Sequence, residues 1–284
     1  MKGSERKVME AIFITNDPWR AQVAERAGVD RIMVDLEILG KNERQGHLNT
    51  VISRHTLGDV TYLRSTLSTS SLMVRVNPMH GGSEEEIQAV IDAGADIVML
   101  PMFSYPDEVE KFVVAVGGKA RTCLLFETGA ALANIHDVIS INGIDEAHIG
   151  LNDLHLSLRL RFMFELISCG LVDYMAGAFR QKGLKFGIGG VARLGCGTLP
   201  AELVLSEHVR LGSSRVILSR DYGNIFNECS NEQCFEVFKQ EMCRFRLHLD
   251  QLGRLSREEL LLNSEKVKAA VTGIVATCVP ASRP

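Results

Sequence analysis

Short apolar runs alternate along this chain with longer stretches in which apolar residues recur at helical spacing. The short runs predict eight strands, at residues 11–15, 31–36, 72–76, 96–100, 122–126, 146–149, 185–188 and 215–218. The longer stretches predict helices at residues 18–27, 57–67, 84–93, 105–116, 130–139, 172–182, 200–211 and 232–252. Strands that alternate with helices in this way are typical of a parallel sheet with crossover helices.

The number of strand–helix units favours one architecture. Eight units without a break in composition predict an α/β fold in the form of a single (β/α)8 TIM barrel. The barrel would occupy residues 1–252, and residues 253–284 would form an exposed helical extension with a flexible tail. A doubly wound open sheet is the alternative, but no glycine-rich nucleotide-binding motif opens the first helix, which weakens that version of it.

Local signals mark where some helices begin. Asp17 followed by Pro18 is a normal helix start, with a capping side chain and a proline at the first helical position. Ser83, with Glu86 three residues later, predicts a capping box for the helix at 84–93. The segment 150–169 is expected to be irregular.

Composition and charge exclude several classes of protein. The 31 basic and 35 acidic residues give a formal charge of −4, which argues against a nucleic-acid-binding protein. The longest uncharged stretch, at residues 269–282, is too short to span a bilayer. Seven scattered cysteines without a CxxC pair suggest reduced thiols rather than a zinc cluster. We therefore expect a soluble, cytoplasmic protein that binds neither nucleic acid nor membrane.

Polar side chains follow the ends of most predicted strands. In a barrel the carboxyl ends of the strands meet at one mouth, where the active sites of this fold lie. The candidates there are Asn16, Asp17, Asp35, Glu37, Arg75, Asn77, Glu127, Asn152, Asp153, Arg193 and Arg220. Carboxylates crowded together repel one another, so this mouth is expected to attract positive charge.

Glu127 and Asp153 are the natural pair for a hard divalent cation, with waters and substrate oxygens as its other ligands. Arg75 offers a planar fork that suits a carboxylate. A cation and an arginine at one mouth would suit a 2-oxo acid, bound through its keto and carboxylate oxygens. Other roles stay open here, because a strand-end carboxylate often caps the next helix and a lone arginine often serves a buried ion pair.

Five ordered segments of this chain resemble the HpcH/HpaI aldolase and citrate lyase β-subunit family, of the phosphoenolpyruvate/pyruvate barrel superfamily. The segments are GVDRIMVDLE at 28–37, VRVNP at 74–78, AGADIVMLPM at 93–102, LFETGAALANI at 125–135 and GIDEAHIGLNDL at 143–154. The resemblance implies metal-dependent (class II) cleavage or formation of a carbon–carbon bond next to pyruvate, with a 2-oxo acid and an aldehyde as substrates. It places Glu127 and Asp153 at the ligand positions for Mg²⁺, or alternatively Mn²⁺ or Co²⁺, and Arg75 on the substrate carboxylate and the enolate.

The resemblance also assigns roles to two further groups of residues. Gly150, Leu151 and Asn152 match the loop whose backbone N–H groups face the substrate carboxylate. Asp35 and Glu37 match an acidic pair after the second strand, where Glu37 could hold a metal-bound water.

The segment after the second strand departs from the family's sugar-acid aldolases, which usually read Asp-Gly-Glu-His there. This chain reads Asp-Leu-Glu-Ile, so Ile38 stands in place of the histidine that serves in proton transfer. His47 and His55, in the long polar loop that follows, are candidate replacements as acid or base. A metal-bound hydroxide assisted by Glu37 is an equal alternative.

Four other residues near predicted strand ends could contribute. Arg193 follows a glycine-rich turn after the seventh strand, where barrels often bind phosphate, and could hold a distal phosphate or carboxylate of the substrate. A plain surface turn is the equal alternative, and Arg220 is a weaker candidate of the same kind. His148 is expected to be a hydrogen-bonded packing residue, and His155 could support the metal site.

Two other functions stay open beside the aldolase. An acyl-CoA lyase of the citrate lyase or malyl-CoA type is closer to Asp-Leu-Glu, and would need basic residues such as Lys41, Arg54 and Arg64 around the CoA phosphates. A non-catalytic barrel that binds an anionic ligand or a partner protein is the other. The resemblance also implies a homo-oligomer, a trimer or hexamer, that exchanges the last helix at 232–252.

Overall fold

Eight parallel strands form a closed barrel in the computed structural model, which describes residues 9–39 and 55–277. Each strand pairs with the next along the chain, and the first closes the barrel against the last. The strands are β1 Glu10–Ile14, β2 Arg31–Asp35, β3 Ser71–Arg75, β4 Ile97–Leu100, β5 Arg121–Phe126, β6 Glu146–Ile149, β7 Lys185–Val191 and β8 Arg215–Leu218. The predicted (β/α)8 barrel is confirmed, and all eight predicted strands overlap those observed.

Helices cover the outside of the barrel. They are α1 Pro18–Arg26, α2 Leu57–Thr66, α3 Ser83–Asp92, α4 Pro106–Val116, α5 Gly129–Ala133, α6 Ile135–Ser140, α7 Leu151–Ser157, α8 Glu165–Ser168, α9 Leu171–Lys182, α10 Ala201–Leu211, α11 Arg220–Glu228, α12 Asn231–Leu252 and α13 Arg257–Thr277. The helix predicted at 130–139 is interrupted at Asn134, whose Nδ2 donates to the Ser104 carbonyl at 3.0 Å. The segment expected to be irregular contains α7 and α8, and α11 was not predicted. Among the described helices, none has the length and apolar character needed to cross a membrane.

The two predicted helix starts have different outcomes. Asp17 caps α1 as predicted, since its Oδ1 accepts a hydrogen bond from the Arg20 N–H at 3.0 Å. The prediction of a capping box at Ser83 was wrong: Gly82 is the N-cap of α3, and no side chain caps this helix. Glu86 points instead to the preceding strand end, where it accepts from the Asn77 side chain at 2.8 Å.

Side chains alternate between the barrel interior and the helix layer. The middle of the interior is an apolar cluster that consists of Ile12, Met33, Met73, Ile97, Met99, Cys123 and Leu125. Successive strand residues face opposite sides of a sheet. This alternation directs Asp35, Arg75 and Glu127, two positions along from cluster members, into the mouth at the carboxyl ends of β2, β3 and β5.

The opposite end of the barrel is closed by a ring of alternating charges. Arg31 pairs with both Glu10 and Glu146, and Arg215 joins the same two carboxylates at 3.1 and 2.6 Å. The side chains of Arg31, Arg215 and Glu146 are each no more than 3 % exposed. Two positive and two negative charges balance here, so these ion pairs close this end of the barrel and have a structural role.

The two C-terminal helices pack on the barrel. Phe238 of α12 lies against Phe13 of β1, with ring centroids 5.4 Å apart, so α12 covers its own barrel. The C-terminal extension includes α13, a helix with mostly exposed residues, one face of which packs on α10 and α8 and buries Val267 and Val271. The predicted tail at 278–284 lies outside the described residues.

Candidate active site

Arg75 is the cationic centre of the mouth. Strand register sets Asp35 beside it, and the Arg75 Nε and Nη2 donate to the two Asp35 oxygens at 2.9 and 2.8 Å. The Arg75 Nη1 lies 3.3 Å from Glu37 Oε2. Burial by itself lowers the pKa of Arg75, but the charge and hydrogen bonds of Asp35, followed by the charges of Glu37 and Glu127, raise that pKa above its usual value. The guanidinium is therefore charged and held in one orientation.

Glu127 follows β5 and is 2 % exposed. Its Oε1 accepts a hydrogen bond from the Met102 N–H at 3.1 Å. Burial raises the pKa of Glu127 to about 8; the Arg75 charge acts against that rise, and the Asp153 and Glu37 charges add to it. The mouth therefore carries more carboxylates than the guanidinium can balance.

Met102 is a contributor that the sequence analysis missed. Its φ of 54° lies in the left-handed region, which costs a non-glycine residue about 1–2 kcal/mol. In this conformation its N–H reaches Glu127 across from the neighbouring strand end. The sequence signal was faint: Met102 follows Pro101 directly after β4, at the same end of the barrel. Such strain often accompanies functional sites.

Gly150 lies directly against Glu127. A Cβ at position 150 would stand 2.8 Å from both Cβ and Oε2 of Glu127, so a side chain has no room there. The Gly150 N–H donates to the Phe126 carbonyl at 2.9 Å, so the donor expected for a substrate carboxylate is already engaged. Leu151 and Asn152 open α7, where the first N–H groups of a helix have no partner within that helix.

The chemistry of the donor set fits a hard divalent cation. No group of three His, Cys, Asp or Glu side chains within 9–39 and 55–277 is arranged to hold a metal ion. Mg²⁺, however, commonly keeps several waters and uses only one or two protein carboxylates besides the substrate. Glu127, buried amid negative charge, and the half-buried Asp153, whose charge acts on it, meet this requirement. These two residues would hold the cation.

His55 contacts the site through a hydrogen bond with the backbone of Asp35. The Asp35 N–H donates to His55 Nδ1 at 2.9 Å. An accepting Nδ1 carries no proton, so the proton of the neutral ring lies on Nε2. His47, the other histidine predicted from the loop, lies outside the described residues.

The turn after β2 is held along its whole backbone. Each N–H from residue 35 to residue 39 donates to a protein acceptor. The acceptors are, in order, His55 Nδ1, the Arg75 carbonyl, Asp35 Oδ1 and, for the last two, Asn77 Oδ1, at 2.9, 2.9, 3.2, 2.9 and 3.0 Å. The acidic pair of this turn is therefore preorganised.

The two other predicted arginines follow the last two strands of the barrel. Arg193 follows β7, and its Nη1 lies 3.3 Å from Glu228 Oε2 at the end of α11, so that carboxylate engages its charge. Gly189 and Gly190, predicted as part of the preceding turn, belong to β7 itself. Arg220 is the exposed first residue of α11.

The two other histidines considered for the site are hydrogen bonded to backbone carbonyls. His148 is buried in the barrel wall, and its Nε2 donates to the Gly189 carbonyl at 3.0 Å. Burial lowers the pKa of His148 to about 4, so the ring is neutral, as expected of a packing residue. His155 Nδ1 lies 3.3 Å from the Leu151 carbonyl, within α7.

The fold and this mouth define a class: an α/β-barrel protein with carboxylates and the largely buried Arg75 at the carboxyl ends of its strands. The chain belongs to the HpcH/HpaI aldolase/citrate lyase family, whose model matches residues 13–163. Family membership supports a lyase or aldolase activity in general terms. A comparison with curated proteins found no match.

Several solved structures share the barrel. An HpcH/HpaI aldolase from Desulfitobacterium hafniense DCB-2 is 14 % identical, with a TM-score of 0.58 over 75 % of this chain and 86 % of that one. A family protein from Burkholderia cenocepacia J2315 is 16 % identical, with a TM-score of 0.60 over 81 % and 95 % of the two chains. Citrate synthase SbnG is 18 % identical, with a TM-score of 0.60 over 83 % and 95 %. At such identities the likeness establishes the fold alone.

Proposed function

We propose that this protein is a divalent-cation-dependent carbon–carbon lyase of the class II aldolase type. It would cleave or form the bond next to a pyruvate-type 2-oxo acid, with an aldehyde as the other substrate or product. The observation that carries this proposal is the charge imbalance at the mouth. Glu127 has a pKa of about 8 because it is buried beside other carboxylates, with Arg75 as the opposing charge.

The cation would be held by Glu127 and Asp153. It would supply positive charge beside the substrate keto oxygen as negative charge develops there, an effect worth several kcal/mol in catalysis. Gly150 supports this role, because only a residue without a side chain leaves Glu127 in place.

Arg75 would bind the substrate carboxylate. A guanidinium has five N–H groups, and Asp35 accepts from two of them. A third nitrogen faces Glu37 at 3.3 Å, which leaves N–H groups for substrate oxygens. Asp35 would then act by orienting the Arg75 guanidinium. The side-chain entropy that this orientation costs is lost when the protein folds rather than when the substrate binds.

Proton transfer is assigned to Glu37. Its carboxylate is buried beside the Arg75 guanidinium at the same mouth. His55 suits this role less well, because its Nδ1 is engaged by the Asp35 N–H and its Nε2 already carries the ring proton. In this proposal His55 orients Asp35, and His47 stays a predicted alternative.

The acyl-CoA alternative lacks support from the described residues. Arg64 lies at the opposite end of the barrel, where its Nη1 donates to Asp96 at 2.9 Å just before β4 begins. A crossover helix runs back along the barrel to the start of the next strand, so Arg64, near the end of α2, lies close to the beginning of β3. Lys41 and Arg54, also suggested for the CoA phosphates, lie outside the described residues. The trimeric or hexameric assembly and the cytoplasmic location stay predictions.

The experiment that tests this function is exchange of the methyl protons of pyruvate with D2O, followed by NMR. We expect exchange with Mg²⁺, Mn²⁺ or Co²⁺ and none with EDTA. Glu127→Gln and Asp153→Asn should abolish it, whereas Glu110→Gln, an exposed carboxylate on α4, should not. Exchange without a divalent cation, or full exchange by Glu127→Gln, would overturn the proposal. A panel of aldehydes beside malyl-CoA and citramalyl-CoA would then separate aldolase from thioester lyase.

A further inference from the structure

The side chain of Asn77 holds the backbone directly after Glu37. Its Oδ1 accepts hydrogen bonds from the N–H groups of Ile38 and Leu39 at 2.9 and 3.0 Å. Apolar packing does not hold this segment, since Ile38 and Leu39 are 56 % and 44 % exposed. The order of the backbone after Glu37 therefore depends on hydrogen bonds to one side-chain oxygen.

Glu86 sets the direction in which the Asn77 amide points. Glu86 Oε1 accepts from the Asn77 backbone N–H at 3.1 Å and from its Nδ2 at 2.8 Å. An ionised carboxylate only accepts hydrogen bonds, so it selects the donor end of the amide and turns the acceptor end to the acidic turn. The other Glu86 oxygen lies 2.9 Å from His80 Nε2, and His80 Nδ1 accepts from the Gly82 N–H at 3.0 Å. Nε2 therefore carries the ring proton, and this N–H donates a hydrogen bond to Glu86.

We propose that Asn77 is a positioning residue for Glu37, oriented by Glu86. The inference rests on the proposed function, in which Glu37 handles a proton beside Arg75. The reaction slows when the carboxylate that transfers the proton is poorly positioned, because reacting groups must be aligned before the chemical step. Asn77 limits movement of the backbone that carries Glu37, from outside the mouth, by holding the N–H groups of the two residues that follow.

The chemistry of the amide makes this role testable by a donor–acceptor swap. Asn77→Asp keeps an oxygen for Ile38 and Leu39 but places a second carboxylate against Glu86. Like charges at hydrogen-bond distance repel, so the side chain turns away and releases the turn. Adding Glu86→Gln removes the second negative charge and supplies an amide nitrogen that can donate to the new carboxylate. Its amide oxygen then accepts from the backbone N–H of residue 77, and the contact with the exposed His80 is the one given up.

The measurement is the rate of metal-dependent exchange of the pyruvate methyl protons. Asn77→Asp should lower kcat by about 30- to 100-fold and change KM by less than about threefold, because Glu37 is displaced while Arg75 still binds the carboxylate. Asn77→Asp/Glu86→Gln should recover to within about fivefold of the wild type. The control is Asn263→Asp on α13, whose amide donates to Ser206 Oγ, and it should leave the rate unchanged. Equal losses in the single and double variants, or no loss in the single variant, would overturn the proposal.

Amide hydrogen exchange tests the same contact without any catalysis. In the wild type the N–H groups of Ile38 and Leu39 should be protected although their side chains are exposed. Asn77→Asp should speed their exchange by at least about tenfold, and the double variant should restore protection. If the wild type fails to exchange pyruvate protons, the proposed reaction fails, and this readout still decides whether Asn77 holds the turn. Unchanged amide exchange in Asn77→Asp would show that it does not.

Discussion

Gly150 and Glu127 are in steric contact: a Cβ on Gly150 would lie 2.8 Å from both Cβ and Oε2 of Glu127. The restriction is one of space rather than of backbone conformation, because Gly150 has a φ of −83°, which any residue can adopt. The β6–α7 junction therefore approaches the buried carboxylate as closely as a backbone can. This contact links a turn glycine, suggested first by its place in a motif, to the geometry of the proposed cation ligand.

Gly150→Ala should displace Glu127. We expect a loss of about 1–3 kcal/mol in the free energy of unfolding, as for other overpacked sites. Pyruvate proton exchange should fall by about tenfold or more, because the displaced ligand is misaligned. The matched control is Gly177→Ala in α9, where an added Cβ meets nothing within 4 Å. That change should stabilise the protein by about 0.5–1 kcal/mol. Equal effects at both sites would contradict the steric explanation.

Glu127 should make stability depend on pH in the absence of divalent cations. Its pKa rises from 4.5 to about 8 on folding, so between these values the folded state holds a proton that the unfolded chain releases. Stability should therefore fall as pH rises from about 5 to 8, by up to about 1.4 kcal/mol per pH unit. Urea unfolding in EDTA across this range measures the slope, and Glu127→Gln should flatten it. An unchanged slope in this variant would contradict the assignment.

The same group predicts how a cation acts on thermal stability. A cation at Glu127 must displace the bound proton, so Mg²⁺ should raise Tm more at pH 8 than at pH 6. In Glu127→Gln, Mg²⁺ should raise Tm at neither pH. An equal Mg²⁺ effect at the two pH values would place the cation elsewhere.

His55 should tolerate asparagine but not alanine. Asn retains an oxygen where Nδ1 accepts from the Asp35 N–H, whereas Ala leaves that N–H without its partner. We expect His55→Asn to stay within about tenfold of wild-type exchange and His55→Ala to lose about 100-fold. Should His55→Asn be as impaired as His55→Ala, the imidazole would be the acid or base after all.

The charge ring at the far end of the barrel should affect stability without affecting the site. Glu146→Gln removes one carboxylate from between Arg31 and Arg215, both buried. Breaking a buried ion pair in this way costs about 3–5 kcal/mol. At temperatures where the variant is folded, pyruvate exchange should match the wild type. A selective loss of exchange with unchanged stability would show that this end communicates with the mouth.

The ends of the strands could be predicted from the sequence because they follow from local patterns of apolar and polar residues. Apolar runs located the strands, and the polar residue after each run was therefore a candidate for the mouth. This placed Asp35, Arg75 and Glu127 correctly at one end of the barrel. Arg64 was misplaced because its helix position does not reveal which end of the barrel it faces.

The sequence by itself determined the barrel and the end at which the charges of Asp35, Arg75 and Glu127 lie, because the spacing of apolar residues and the order of the strands can be read from neighbouring residues. The partners of those charges were decided only by the tertiary structure. Ser83 and Glu86 have the spacing of a capping box, yet Glu86 accepts hydrogen bonds from Asn77, nine residues earlier at the end of a strand. Met102 and Asn77 form hydrogen bonds across neighbouring strand ends, and His55 forms one with the end of β2 from the segment that follows it. Such contacts leave no period in the sequence, because they depend on the register of a closed sheet.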